Sequence, residues 1–327
     1  MAETIRWGIL GPGRIAHKLA EGLHFVDDAE LHAVGSRAVE RAEQFGAQYD
    51  IPRRYGSYEQ LARDPDVDVI YVATPHPYHR ENTLLCLEEG KAILCEKPLC
   101  VNAGEAQAMI TSARQKNLFL MEAMWTRFLP AHVQIRTWLQ EEKIGEVRML
   151  LIDFGFRAQF NPEGRLFNPD LAGGALLDIG VYTIALAFMV FGKPPLQITS
   201  TAHIGTTGVD EQEAIVLSYD EGALAVISCA VRTQMPGTAL ILGTEGSIRV
   251  PQFFSASSAE LRLGQNSPVP VELMYRGTGF NYQAQEVCRC LREGKQESTI
   301  MGLDESLGIM QTMDAVRAQW GLRYPFE

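Results

Sequence analysis

The chain has 327 residues, more than one hydrophobic core usually organises, so two domains are expected. Hydrophobic residues make up 46% and charged residues 21%, an ordinary globular composition. With 29 basic and 40 acidic residues the formal charge is -11, and no long Lys/Arg run appears, which disfavours a nucleic-acid role.

No charged segment followed by an apolar one opens the chain, and the longest apolar stretch, 181–191, is interrupted by Tyr182 and Thr183. Neither a secretory signal nor a membrane span is expected. Six cysteines (Cys86, Cys95, Cys100, Cys229, Cys288 and Cys290) lack C-x-x-C spacing, and they read as reduced thiols of a cytoplasmic protein.

The first predicted strand, 5–10, runs into Gly11-Pro12-Gly13-Arg14-Ile15-Ala16, and Leu19, Ala20 and Leu23 give the following residues 16–23 helical spacing. Strand, glycine turn and helix start in this order form a dinucleotide fingerprint with alanine in its third position. Gly11 permits the tight turn, Gly13 lets the backbone approach a pyrophosphate, and Ala16 allows helix to pack on strand. The helix start, with Pro12, Arg14 and Ile15, faces the negative charge.

A second strand, 30–35, ends in Ser36-Arg37, where an NAD-preferring site is expected to carry an acid for the ribose hydroxyls. Ser36 and Arg37 can instead hydrogen-bond and charge-pair a 2′-phosphate, with Arg41 one helical turn on and on the same face. NADP is therefore the expected cofactor; the bland alternative is two arginines on a solvated helix start.

A helix over 38–49, a connection at Ile51-Pro52 and a short helix over 58–63 lead to an apolar strand, 67–73, that ends in Thr74-Pro75-His76-Pro77-Tyr78-His79. Contact of Thr74, Pro75, His76 and His79 with cofactor or substrate is expected at this carboxyl end. The histidine spacing hints at a metal pair, but no third acidic or cysteine ligand is near in sequence, and no metal is expected. After a helix over 80–89 and Gly90 comes a short apolar strand, 91–95, followed by Glu96-Lys97-Pro98. Pro98 holds the residue before it extended, which places Lys97 in the crevice at the carboxyl edge of the sheet; the alternative is a surface lysine before a turn. A helix over 103–116 and a strand over 118–123, the fifth strand placed, close a doubly wound parallel sheet expected to hold six strands and a first domain, 1–123.

At Trp125-Thr126-Arg127-Phe128 the chain crosses to a second domain, 124–327, where clefts form; Trp125 reads equally as hinge packing or as a ligand wall. Strands are predicted over 146–156, 196–203, 214–219, 223–231, 238–242, 247–250 and 260–263, with helices over 175–191, 282–292 and 304–319. Strands without intervening helices describe an open, mostly antiparallel sheet in an α+β domain. Its far face, carrying Val226, Val231, Leu240 and Leu242, needs a cover, so a homodimer or higher oligomer is expected.

In Gly173-Gly174-Ala175-Leu176-Leu177-Asp178-Ile179-Gly180-Val181-Tyr182, Asp178 and Tyr182 stand four apart on one helical face. They either bond internally as a structural pair or face a cleft, and the preceding glycines favour the cleft.

Together the Gly11-x-Gly13-x-x-Ala16 turn, the Glu96-Lys97-Pro98 segment and the Asp178/Tyr182 helix resemble the Gfo/Idh/MocA oxidoreductase family over nearly the whole chain. The segments 122–128 and 174–182 are more closely similar to its branch of dimeric dihydrodiol dehydrogenases and NADP-dependent D-xylose dehydrogenases. That resemblance implies an α/β protein with an N-terminal Rossmann domain and a C-terminal open-sheet domain that dimerises. It also implies NADP(H) and a catalytic Lys97 before a cis proline. Many members carry histidine four residues after the aspartate; Tyr182 stands there instead, which puts inositol dehydrogenase activity in doubt.

The expected reaction is hydride transfer between NADP(H) and a carbinol carbon of a sugar or cyclic diol. Lys97 would stabilise the alkoxide, Tyr182 would pass the proton, and Asp178 and His79 would orient groups. Glu96, Trp125 and Arg127 are counted with the cofactor-binding residues. A non-catalytic NADP sensor on the same fold is the alternative from another class, and an S-adenosylmethionine enzyme is disfavoured by Arg37.

Overall fold

Residues 4–327 are described by a computed structural model, and the chain divides into two compact units. The first unit holds the residues up to Trp125 and also Arg276–Leu307; the second holds Thr126–Tyr275 and Gly308–Glu327. The predicted division at 123/124 left residues 276–307 with the second domain. Their side chains explain the difference, because Thr278 Oγ1 donates to the Lys18 carbonyl at 2.7 Å and Ser306 Oγ to Glu122 at 2.7 Å, contacts that no local pattern encodes.

In the first unit, β1 (Ile5–Leu10), α1 (Arg14–Leu23), β2 (Ala29–Gly35), α2 (Val39–Gln48), β3 (Arg53–Tyr55), α3 (Tyr58–Ala62), β4 (Val69–Val72), α4 (His79–Glu88), β5 (Ala92–Glu96), α5 (Ala103–Lys116) and β6 (Leu120–Ala123) alternate along the chain. The sheet order is β3-β2-β1-β4-β5-β6, all parallel. Strands β4 and β5 are buried along their whole length, which is why they read as continuous apolar runs rather than alternating ones. Each fully buried Val, Ile or Leu there stabilises the sheet by roughly 1.5–3 kcal/mol. Strand order reverses between β1 and β4, so a crevice opens at their carboxyl ends, where ligands bind in such sheets. The three-residue β3 completes the six strands, and its Arg53-Arg54-Tyr55 composition hid it from hydrophobic patterning.

In the second unit, α6 (Pro130–Gln140) precedes β7 (Val147–Gly155), a helical run ending in α7 (Val181–Phe191), and then β8 (Gln197–Ile204), β9 (Asp210–Ser218), β10 (Leu224–Ala230), β11 (Ala239–Gly243), β12 (Gly246–Val250), β13 (Ser258–Leu263) and β14 (Val269–Glu272). The sheet order is β14-β13-β12-β11-β7-β10-β9-β8, and only the β7/β10 pair is parallel. Helix α6 and strand β14 went unpredicted; Pro130 at the first helical turn is a start signal that the aromatic cluster before it masked. The chain continues with α8 (Phe280–Arg292), in the first unit, and α9 (Leu303–Trp320).

The stretch Pro169–Phe191 is long and apolar enough to cross a membrane, with mean hydropathy 2.0, but its apolar window is 78% buried, as in a core helix. On the opposite face of the sheet Val216, Val226, Leu151 and Leu240 pair in one row across β9, β10, β7 and β11. Val226 is 38% exposed. Val231 does not belong to that face: it is fully buried beyond the end of β10, its amide on the Glu211 carbonyl.

Candidate active site

At the carboxyl end of β1, Gly11 has φ +89°, a left-handed conformation suited to glycine, and a Cβ there would stand 3.1 Å from Thr74 Cγ2. Gly13 begins α1, and the helix has no side-chain cap and no acid in its first turn. A buried Ala16 follows, with Gly13 and Arg14 exposed and Pro12 and Ile15 half-buried. The predicted fingerprint thus presents an uncapped helix N-terminus, with amides able to meet an anion.

Beside it in the same unit lies a cleft of about 380 Å³ whose lining includes Arg37, Tyr58, Thr74, Pro75, Tyr78 and Asn82. Arg37 is exposed, and its guanidinium sits 5.5 Å from the Tyr78 ring centroid. Ser36 is buried and its hydroxyl accepts the Ala38 amide at 3.3 Å, and Arg41 is exposed on α2. Tyr58, Tyr78 and Asn82 were missed; each stands at a helix start or loop where spacing is silent, and only the fold brings them to Arg37.

Two lysines bracket β5. Lys91 is buried at its amino end with its ammonium on the Asp64 and Val67 carbonyls, whereas Lys97 is half-buried at the carboxyl end. The Lys97–Pro98 peptide is cis, as the resemblance implied. Three buried side chains grip three consecutive residues here. Glu96, which also accepts the Tyr71 hydroxyl, accepts the Lys97 amide at 3.2 Å. His79 Nδ1 meets the Pro98 carbonyl at 2.9 Å, and Glu122 accepts the Leu99 amide at 3.0 Å.

His79 is fully buried, and its other nitrogen lies 2.7 Å from the Thr74 carbonyl. Burial holds its pKa below the ordinary histidine value against the pull of the backbone carbonyls. His79 and Glu96, both expected at the cofactor, are engaged with this chain's own backbone. His76, also buried, stands edge-on to His79 at 5.8 Å between centroids. Among the described residues no group of three His, Cys, Asp or Glu is placed to hold a metal ion.

Trp125 stacks on Phe280 at 4.9 Å between ring centroids. Arg127 is buried in the second unit, and its guanidinium donates to the Ala185 carbonyl at 2.7 Å.

The predicted helix over 175–191 divides: Leu176–Gly180 is a π-helical turn, and α7 starts at Val181. Asp178 therefore lies in the π-helical turn and Tyr182 in α7. Asp178 pairs with Arg165 at 2.9 Å, while the Tyr182 ring meets Phe154 edge-on at 6.0 Å, and Phe154 stacks on Phe254 at 4.4 Å. Arg165 lies in the irregular loop before the turn and carried no sequence signal. The glycines admit no ligand at their Cα: a Cβ on Gly173 would meet the Arg165 carbonyl at 2.8 Å, and one on Gly174 would meet Asp210 at 2.1 Å.

All six cysteines are free and buried. Desolvation raises the pKa of each thiol, which leaves them protonated and poorly nucleophilic.

A Rossmann unit with an open phosphate turn, followed by a unit built on a mostly antiparallel sheet, defines a dinucleotide-binding oxidoreductase. Residues 5–124 match the model described as "Oxidoreductase family, NAD-binding Rossmann fold", and residues 132–249 match the "GFO/IDH/MocA C-terminal domain". The chain belongs to the Gfo/Idh/MocA oxidoreductase family. It is 40% identical over 329 residues to trans-1,2-dihydrobenzene-1,2-diol dehydrogenase of Xenopus laevis, covering 98% of this chain and 99% of that one. To the Homo sapiens enzyme of the same name it is 37% identical over 331 residues, with 98% of both chains covered. Among solved structures it resembles aldose-aldose oxidoreductase from Caulobacter crescentus, in complex with glycerol, with TM-score 0.89, 25% identity and 98% of both chains covered. It also resembles a 3-ketoreductase from Actinomadura kijaniata in complex with NADP and TDP-benzene, with TM-score 0.86, 26% identity, and 97% and 98% covered.

Proposed function

We propose that this protein is an NADP-dependent dehydrogenase or reductase that transfers a hydride between the cofactor and a carbinol or carbonyl carbon of a sugar or cyclic diol. The observation that carries the reading is Arg37 in place of an acid after β2, beside a cleft in a unit that also presents the open α1 start. The names of the full-length relatives support the diol or sugar class. Phe154 and Phe254 add a stacked aromatic pair next to Tyr182, a surface suited to a ring.

When bound, NADP(H) supplies or accepts the hydride. The α1 turn would hold its pyrophosphate, with Ser36, Arg37 and Arg41 at the 2′-phosphate and Thr74, Pro75 and His76 along the crevice. In oxidation the substrate hydroxyl must also lose a proton. Tyr182 is assigned to take it, Lys97 to stabilise the developing alkoxide, and Asp178, held by Arg165, to orient the substrate. The first unit serves the cofactor; the second serves the substrate and, through the row around Val226, a homodimer. A cytoplasmic location accords with six unpaired buried thiols.

A spectrophotometric screen of pentoses, hexoses and trans-dihydrodiols with NADP and NAD tests the reading. NADP-linked turnover of at least one of these is expected. Tight NADP binding with no turnover across the panel would overturn it in favour of a cofactor sensor.

A further inference from the structure

Two buried carboxyl groups that the proposed reaction does not use stand against the start of the helix carrying Asp178 and Tyr182. Asp210 and Glu213 are 0% and 3% exposed. Asp210 Oδ2 accepts the Leu176 amide at 2.6 Å. A Cβ on Gly174, whose φ is +118°, would stand 2.1 Å from Asp210 Oδ1, and one on Gly180 would stand 2.9 Å from Glu213 Oε1. The two acids therefore bracket the π-helical turn, one at each end, and glycine at both positions makes room for them.

Among the described residues neither acid forms an ion pair, and Asp210 Oδ1 and both Glu213 oxygens are buried without an amide, hydroxyl or basic donor. The two carboxyl groups lie within hydrogen-bonding reach of each other; both ionised, with no cation on either, they would repel in a medium that screens poorly. A single proton held between them removes the repulsion and turns one oxygen into a donor.

We propose that Asp210 and Glu213 share one proton and act together as positioning residues that seat the π-helical turn, and with it Asp178 and Tyr182. Burial raises both acids, Asp210 to about 6 and Glu213 well above the ordinary carboxylate range; Asp210, which accepts a helix-start amide, is the one placed to carry the charge, with the proton on Glu213. The other titratable groups facing the pair are Cys229 of β10 and Tyr324, with Arg317 and Glu327 behind Tyr324. The Tyr324 hydroxyl donates to the Gly173 carbonyl at 2.7 Å and closes the same turn from the C-terminal side.

The link to catalysis rests on the roles proposed for Asp178 and Tyr182; the seating of the turn does not. Glu213→Gln, Asp210→Asn and Asp210→Ala are compared with wild type by kcat and KM, by Tm against pH, and by amide exchange over residues 174–182. Asp210→Ala should lower kcat by roughly 10- to 100-fold, with the KM for NADP unchanged, and speed exchange in that segment. Asp210→Asn, which keeps an acceptor, should lose less.

A carboxyl whose pKa is raised on folding contributes stability at low pH that is lost as the pH rises toward its folded value. Glu213 is raised well above its ordinary value, so its part of that slope should vanish in Glu213→Gln, which keeps neutral-pH turnover within about threefold. A Glu213→Gln as damaged as Asp210→Ala, or one whose stability keeps the wild-type pH slope, would overturn the shared proton. Unchanged exchange over 174–182 in Asp210→Ala would overturn the seating. If Asp210→Ala does not fold, Asp210→Asn and the Glu213→Gln slope decide. If turnover stays at wild-type level while exchange rises, the pair stands and the catalytic assignment of Tyr182 and Asp178 fails.

Discussion

Replacing His79 tests whether the loop of Lys97 is held from behind. The ring is fully buried between the Thr74 and Pro98 carbonyls, 2.7 and 2.9 Å away, and its lowered pKa leaves it neutral near pH 7 with one N–H to give. His79→Leu keeps an apolar volume but strands the carbonyl that received that proton, at a cost of about 1–3 kcal/mol. For a chain of this size that is roughly 2–12 °C in Tm by calorimetry. Loosening residues 74 and 97–98 should also lower kcat by about tenfold or more, while His79→Gln, which keeps a donor, recovers part of both losses. The pH dependence has a definite sign. With the folded pKa depressed, the unfolded chain takes up the proton first, so the histidine's contribution is complete above its ordinary pKa of about 6.5 and declines as the pH falls toward the folded value. The wild-type minus His79→Leu difference in stability should shrink over that window. A His79→Leu protein within 0.5 kcal/mol of wild type, or a difference independent of pH, would refute the clamp.

Arg37→Ala should weaken NADP binding by about 1.5–3 kcal/mol, roughly 10- to 150-fold, and leave NAD nearly unaffected; equal losses in titrations of both would reject the 2′-phosphate role. Tyr182→Phe should keep NADP affinity and lower turnover by roughly 100-fold or more, and steady-state kinetics showing wild-type kcat would move the proton to another group. Lys97→Ala should be at least as damaging, and adding Tyr182→Phe to it should cost little more if both serve one proton transfer. Val226→Asp, in the middle of the exposed row, should shift the mass measured by light scattering toward a monomer; a wild type that is already monomeric at micromolar concentration would dismiss the dimer.

What the sequence conveyed well was whatever local geometry dictates. The Gly11–Ala16 turn follows from strand, glycine and helix in fixed order, and β4 and β5 follow from apolar runs that only a doubly covered sheet explains. What it hid were partners far apart in the chain. The predicted strand over 214–219 left out Asp210-Glu211-Gln212-Glu213, whose first and last residues are buried where Gly174 and Gly180, over 30 residues earlier, leave them room. Gly174 had pointed to a ligand. A missing side chain announces a close neighbour without saying whether that neighbour is a ligand or the protein itself. The π-helical turn was invisible for a related reason, since its sequence satisfies α-helical spacing equally well.

The three grips on residues 97–99 carry a further consequence. A buried carboxyl or imidazole costs free energy unless its bonds are made, and an apolar residue of similar shape would cost nothing of the kind. Glu96, His79 and Glu122 nevertheless stand in the core at the carboxyl ends or flanks of β4, β5 and β6 and spend their bonds on the Lys97 amide, the Pro98 carbonyl and the Leu99 amide. Glu122 also takes the hydroxyl of Ser306, and Glu96 that of Tyr71, so each grip is itself fixed. Stability alone is better met by leucine at such positions. Fixing one short loop from three directions is what these groups achieve and leucine cannot, and the backbone they fix is the one that carries Lys97. Single replacements of Glu96 or Glu122 by glutamine, which keep shape and an acceptor, should therefore disturb kcat more than Tm, whereas a merely structural role would lower Tm and leave kcat per folded molecule unchanged.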